Sequence, residues 1–321
     1  MMLGYNKSIV SELCTNTQFL VTSSSTFDME WEELDEIVQD MKNLKIPIKL
    51  IKGVQEWGQD LIKYIFDIKK GEKCVKQLDI VIRDSSLFII NSIKKELNDC
   101  DIFIETANQE TNIYNLQKGG NHCVLPNSIM YNSFKKNVVR LDPYPESEFA
   151  KYSNCLCLKI YDPYFKLENY YGEKVFHLDE IFTIIPTGFE KDDYIILFYK
   201  PFCKTDFEVN KRLLEVFNYN LQILEKAFGE EKIFTFDTEF VKGDVFKTTN
   251  IVNPPLFNRL LIRKDDMYYI YFPSQNYENK KLLDELMVNI NTFFPNIKYK
   301  YINTSTLHNL GGNIHCAFKA V

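Results

Sequence analysis

Five residues short of the C-terminus the chain reads Gly311-Gly312-Asn313-Ile314-His315-Cys316, a thiol placed after backbone that can turn tightly and admit close neighbours. That setting suits a nucleophile, and it equally suits a buried free thiol in a terminal strand. Three other stretches carry chemistry-bearing groups. In Trp57-Gly58-Gln59-Asp60 the carboxylate stands at the end of an element, where functional groups concentrate, although Asp before Leu-Ile-Lys-Tyr-Ile also reads as a helix N-cap. In Phe176-His177-Leu178-Asp179-Glu180 strand alternation puts His177 and Asp179 on one face, as a functional pair or as a solvated strand surface. Gly119-Gly120-Asn121 reads as a turn that could present Asn121.

Apolar periodicity predicts the elements that must position these groups. Strands are expected at 18–23, 46–51, 78–83, 87–90 and 101–106, with helices at 29–44 and 92–98. Asp84-Ser85-Ser86 is read as a turn between two strands. A similar order recurs at 155–161, 182–185 and 194–199, followed by a long helix at 207–228 and a strand at 233–236. It recurs again at 259–263, 268–272, a helix at 279–293 and a strand at 298–302. Without a Gly/Ser/Pro linker, the pattern predicts one closed α/β domain over residues 1–321.

The 321 residues are 45% hydrophobic and 26% charged, as in a folded globular chain. A formal net charge of -6 gives no basic footprint for nucleic acid, and no apolar run has the length of a membrane span. Eight irregularly spaced cysteines do not form a disulfide framework, which implies a reducing, cytoplasmic setting. Cys155 and Cys157 alternate within an apolar run and are expected as core thiols, because no second pair at zinc spacing follows.

Taken in order, the four stretches resemble the guanidino-group-modifying enzymes of the pentein, or α/β-propeller, fold, and within it the catalytic domain of protein-arginine deiminases. The resemblance rests on Trp57-Gly58-Gln59-Asp60, His177-Leu178-Asp179-Glu180-Ile181-Phe182 and His315-Cys316, with Phe217-Asn218 and Val252-Asn253-Pro254-Pro255-Leu256 similar between them. It implies a fivefold pseudosymmetric fold and hydrolysis of a guanidinium, arginine to citrulline plus ammonia. Asp60 and Asp179 would grip the planar cation as bidentate carboxylates, and Cys316 would attack its central carbon. His177 would protonate the departing ammonia and then activate the water that hydrolyses the thiouronium intermediate. Trp57, Gln59, Arg83 and Asn121 are the expected substrate-binding residues, whereas His315 is expected to face away from Cys316 as a structural residue.

Substrate and metal expectations follow from matches and departures. Arg83 lies near where protein-arginine deiminases bind a substrate backbone carbonyl, and Gln59 replaces the Arg usual in agmatine deiminases, so an arginine-containing protein or peptide is the leading substrate. Lys118-Gly119-Gly120-Asn121 and Gly311 to Cys316 lean toward the agmatine branch, which keeps agmatine or free arginine as the alternative, beside a non-catalytic arginine-binding module. The family's calcium-ligating glutamate three residues after the first catalytic Asp is Lys63 here, and Phe176 stands where glycine usually precedes the catalytic His. An ammonium cannot ligate calcium, so no cofactor is expected and calcium is not expected to be essential.

Overall fold

The computed structural model describes residues 7–24, 32–54, 57–70, 72–82, 86–106, 122–126, 128–133, 156–161, 178, 182–204, 206–239, 258–274, 277–304 and 314–321. Within them the strands form five sheets that repeat one topology, an antiparallel pair followed by a strand that returns parallel to the second. In the first unit Lys319–Ala320 pairs antiparallel with Leu20–Ser23, which pairs parallel with Ile48–Ile51. The last strand of the chain therefore completes the sheet begun near its first residues. Ile62–Lys70, Lys73–Ile82 and Asp101–Thr106 form the second unit, with Lys7–Ile9 added at its edge. His122–Leu125, Ser128–Ser133 and Leu156–Tyr161 form the third. Phe182–Pro186, Tyr194–Phe202 and Ile233–Glu239 form the fourth, and Leu260–Lys264, Met267–Pro273 and Ile297–Ile302 the fifth.

Among the described residues, helices make the parallel crossovers in four units, because a chain returning in the same direction must cross the sheet face. Asp35–Leu44 buries Ile37 and Met41 and stops where Lys45 turns left-handed at φ 56°, donating back to the Lys42 carbonyl. Phe207–Phe228 starts on Asp206, whose carboxylate accepts from the Val209 N–H at 3.1 Å, and buries Val209, Leu213, Val216, Phe217 and Leu224. The Phe217 ring stacks on Phe198 at 5.0 Å, so Phe217-Asn218 lies in mid-helix. Asn220, also buried, joins two units by donating to the Tyr161 carbonyl at 2.8 Å and accepting from its N–H at 2.9 Å. Tyr277–Phe293 is the fifth unit's crossover helix.

Three expectations are corrected. Residues 87–90 begin the helix Leu87–Glu96, not a strand: Ser86 caps it by accepting from Ile89, and Ile89 and Ile93 are buried one turn apart while Leu87 and Phe88 are exposed. Asp60 caps no helix into Leu61, because the strand Ile62–Lys70 follows. The segment 156–161 closes the third sheet and does not open the fourth, since the short hairpin at 122–133 precedes it.

Candidate active site

Cys316 lies in a single helical turn, Ile314–Ala317, not in the expected terminal strand; the strand Lys319–Ala320 begins after it. Ile314, Ala317 and Phe318 are fully buried among Leu20, Ile37, Met41, Leu260, Ile262 and Tyr271, so apolar anchors on both sides hold the turn between the first and fifth units. The thiol is itself 3% exposed.

Asn258, fully buried just before the fifth unit's first strand, fixes this turn. Its Oδ1 accepts from the backbone N–H groups of His315 at 2.9 Å and Cys316 at 3.3 Å. Two backbone donors determine which way the amide points, which leaves Nδ2 to donate to Cys316 Sγ at 3.2 Å. A side-chain N–H aimed at sulfur strengthens when that sulfur carries charge. Sequence reasoning missed Asn258: the nearby Val252-to-Leu256 segment drew notice, but one Asn carries no periodic or spacing signal.

Asp60 lies on a second single turn, Gly58–Leu61, with all four residues buried and the carboxylate-bearing residue 1% exposed. The two turns pack against each other. Gly58 makes that approach possible: a Cβ built there would sit 2.6 Å from the Ala317 carbonyl oxygen, 2.6 Å from the Val21 carbonyl oxygen and 3.0 Å from the Thr22 Cα. Only a residue without a side chain lets the backbone before Asp60 lie against the backbone after Cys316. Trp57, partly buried, packs on the cluster that holds Ile314 and Ala317.

Gln59 and His315 turn toward a different space, a cavity whose described lining includes neither Asp60 nor Cys316. His315 Nε2 lies 3.6 Å from Glu12 Oε1, and Lys319 Nζ and Arg259 Nη1 lie 3.5 and 3.3 Å from the same carboxylate. Burial alone would raise the Glu12 pKa; the nearby Lys319, His315 and Arg259 together hold it well below the usual carboxylate range. His315 thus faces away from its neighbour's thiol, but from a helical turn and not from a strand. Lys63, 5% exposed, lines the same cavity with its Nζ 5.4 Å from the Tyr64 ring centre.

Of the predicted site residues, the structure brings Asp60 and Cys316 together on abutting turns with Trp57 packed beside them, whereas Gln59, expected to bind substrate, lines the separate cavity. His177, Asp179, Arg83 and Asn121 lie outside the described residues. Leu178, between the first two, is fully buried and helical, and the rest of the strand expected there lies outside the described residues. No described helix is long and apolar enough to cross a membrane. The described cysteines 14, 74, 100, 123, 203 and 316 are free thiols.

No protein-family model matches the chain, and no curated protein does. Solved structures do match along its whole length. Agmatine deiminase of C. jejuni has a TM-score of 0.58 at 12% identity, covering 100% of this chain and 97% of its own. Agmatine deiminase of Enterococcus faecalis has 0.59 at 12% identity, covering 100% and 98%. A candidate peptidyl-arginine deiminase has 0.58 at 12% identity, covering 100% and 99%. Five sheets of one topology, together with end-to-end superposition, show that this chain has the α/β fold of these deiminases.

Proposed function

We propose that the protein hydrolyses a guanidinium group, with Cys316 as nucleophile and Asp60 as one of the carboxylates that grip the cation. The observation that carries this reading is the abutment of two buried turns from opposite ends of the chain, one holding a carboxylate and the other a thiol that accepts an N–H from Asn258. A buried carboxylate offers a desolvated guanidinium a bidentate partner, and a positioned sulfur beside it meets the central carbon from a fixed direction. His177 as general acid/base and Asp179 as second carboxylate complete the reaction in this reading, in which the five units surround a pseudo-fivefold axis that brings all four groups together. Attack forms the C–S bond, ammonia departs with a proton from His177, and water then cleaves the thiouronium to release the urea-type product and regenerate the thiol.

A small guanidine, agmatine or free arginine, is the substrate class this reading favours over peptidyl arginine. Its support is the Gly311-to-Cys316 motif and two of the structural neighbours named above, which are agmatine deiminases. The rationale for a peptide rests on Gln59, whose side chain lines the separate cavity, and on Arg83, which lies outside the described residues. Catalysis needs no calcium in this reading: Lys63 stands in place of a ligating glutamate and lines a cavity with Arg259 and Lys319, surroundings that oppose a divalent cation. Ammonia release from agmatine, free arginine and a blocked peptidyl-arginine analogue tests the proposal. Turnover of at least one, abolished in Cys316→Ala, is expected; a folded protein that releases ammonia from none of them refutes it.

A further inference from the structure

Behind the abutting turns lies the cavity bordered by Glu12, Gln59, Lys63, Arg259, His315 and Lys319, with a volume of about 50 Å³. At roughly 10–15 Å³ for each water-sized centre it accommodates roughly three to five, the size of a carboxylate group or a small tetrahedral oxyanion. The charged part of its otherwise largely apolar wall is predominantly cationic. Arg259 is 3% exposed and Lys319 8% exposed, and among the described lining residues Glu12 is the single acid. Arg259 spends Nε and Nη2 on the Ile184 carbonyl, at 3.3 and 2.9 Å, and reaches Glu12 only through Nη1. Lys319 approaches the other Glu12 oxygen, which it shares with His315. One carboxylate thus serves a guanidinium, an ammonium and an imidazole, and the two permanent cations alone outnumber it. Buried charge without an equal counter-charge is costly, and an anion in the remaining space would offset it.

Gln59 supplies a second, independent observation. Gln59 is 1% exposed and its Oε1 accepts no hydrogen bond among the described residues. Half a turn about the last side-chain bond exchanges the amide's oxygen and nitrogen at no cost in volume, which replaces an unused acceptor by two donors. We infer that this cavity is a binding site for a small oxyanion, carboxylate or inorganic, held by Arg259 and Lys319 with the Gln59 amide as neutral donor. Gln59 precedes Asp60 and His315 precedes Cys316, so an anion held here ties the two turns together from behind.

Isothermal titration calorimetry on the full chain tests the site, with inorganic phosphate, sulfate and acetate added separately at ionic strength fixed by chloride. Saturable one-site binding of at least one anion is expected, weakened tenfold or more in Lys319→Gln and tightened in Glu12→Gln, which removes the competing carboxylate. Acetate binding without phosphate or sulfate binding assigns a carboxylate ligand; the converse assigns an inorganic one. Failure of the wild type to bind all three overturns the proposal, as does unchanged affinity in a folded Lys319→Gln. Should Lys319→Gln not fold, Glu12→Gln decides alone, and weaker or equal binding in that variant overturns the proposal.

Discussion

Gly58→Ala is the most informative single change, because one methyl group tests whether the two turns must touch. The added Cβ would lie 2.6 Å from each of two carbonyl oxygens, those of Val21 and Ala317, about 0.8 Å inside the 3.4 Å where ordinary contact begins. Both oxygens belong to backbone, so neither can rotate away as a flexible side chain would. Helix propensity works in the opposite direction, favouring Ala by up to ~1 kcal/mol, but Gly58 is the first residue of a single turn, where that gain is smallest. Overpacking therefore wins, at a net cost of roughly 1–3 kcal/mol. Relief comes by moving the Asp60 turn off the Cys316 turn by a good part of that 0.8 Å, and misplacement of about 1 Å costs up to about a hundredfold in rate. Urea unfolding should show a lower midpoint at unchanged slope, and steady-state ammonia release should fall ten- to a hundredfold more than the folded fraction accounts for. A variant within ~0.5 kcal/mol and twofold of wild type in both assays would refute the claim that this contact sets the site.

Three other outcomes follow from the same geometry. Asn258→Ala removes the donor to Cys316 Sγ and the acceptor for two backbone N–H groups; at about 1–3 kcal/mol for unmaking such buried bonds, labelling of Cys316 by a haloacetamidine should slow ten- to a hundredfold, read by mass spectrometry. In the wild type Cys316 should be labelled before Cys123 or Cys203, and an unchanged rate in Asn258→Ala contradicts the role given to the amide. Glu12 has a folded pKa well below its unfolded value of about 4.3, so its stabilisation is complete above that value and is lost as pH falls through the folded pKa. Glu12→Gln should accordingly be less stable than wild type at neutral pH, with the gap in urea midpoint narrowing below about pH 4; a gap constant from pH 7 to pH 3 would contradict the linkage. Turnover in excess chelator should stay within a few-fold of turnover in millimolar calcium, and a loss restored by calcium would reveal oxygen ligands elsewhere.

What the sequence by itself determined is local. The 3.6-residue period from Phe207 to Phe228 and the Asp206 cap mark that helix from end to end, because its buried stripe and its first hydrogen bonds all lie within the segment. A short apolar run and an alternating one likewise marked the strands Leu260–Lys264 and Ile297–Ile302. Where periodicity was short, pattern failed: Leu-Phe-Ile-Ile at 87–90 reads as a strand by composition, and the Ser86 cap with tertiary burial of Ile89 and Ile93 makes it a helix. Motif order singled out Asp60 and Cys316 as chemical candidates. That they sit on abutting turns was decided only in three dimensions, by the pairing of Lys319–Ala320 with Leu20–Ser23 that carries the C-terminus back to the first sheet. Asn258 and the cluster around Glu12 were illegible for the same reason. Their partners come from distant strands, and a hydrogen bond or ion pair between distant segments leaves no spacing in the chain from which it could be read.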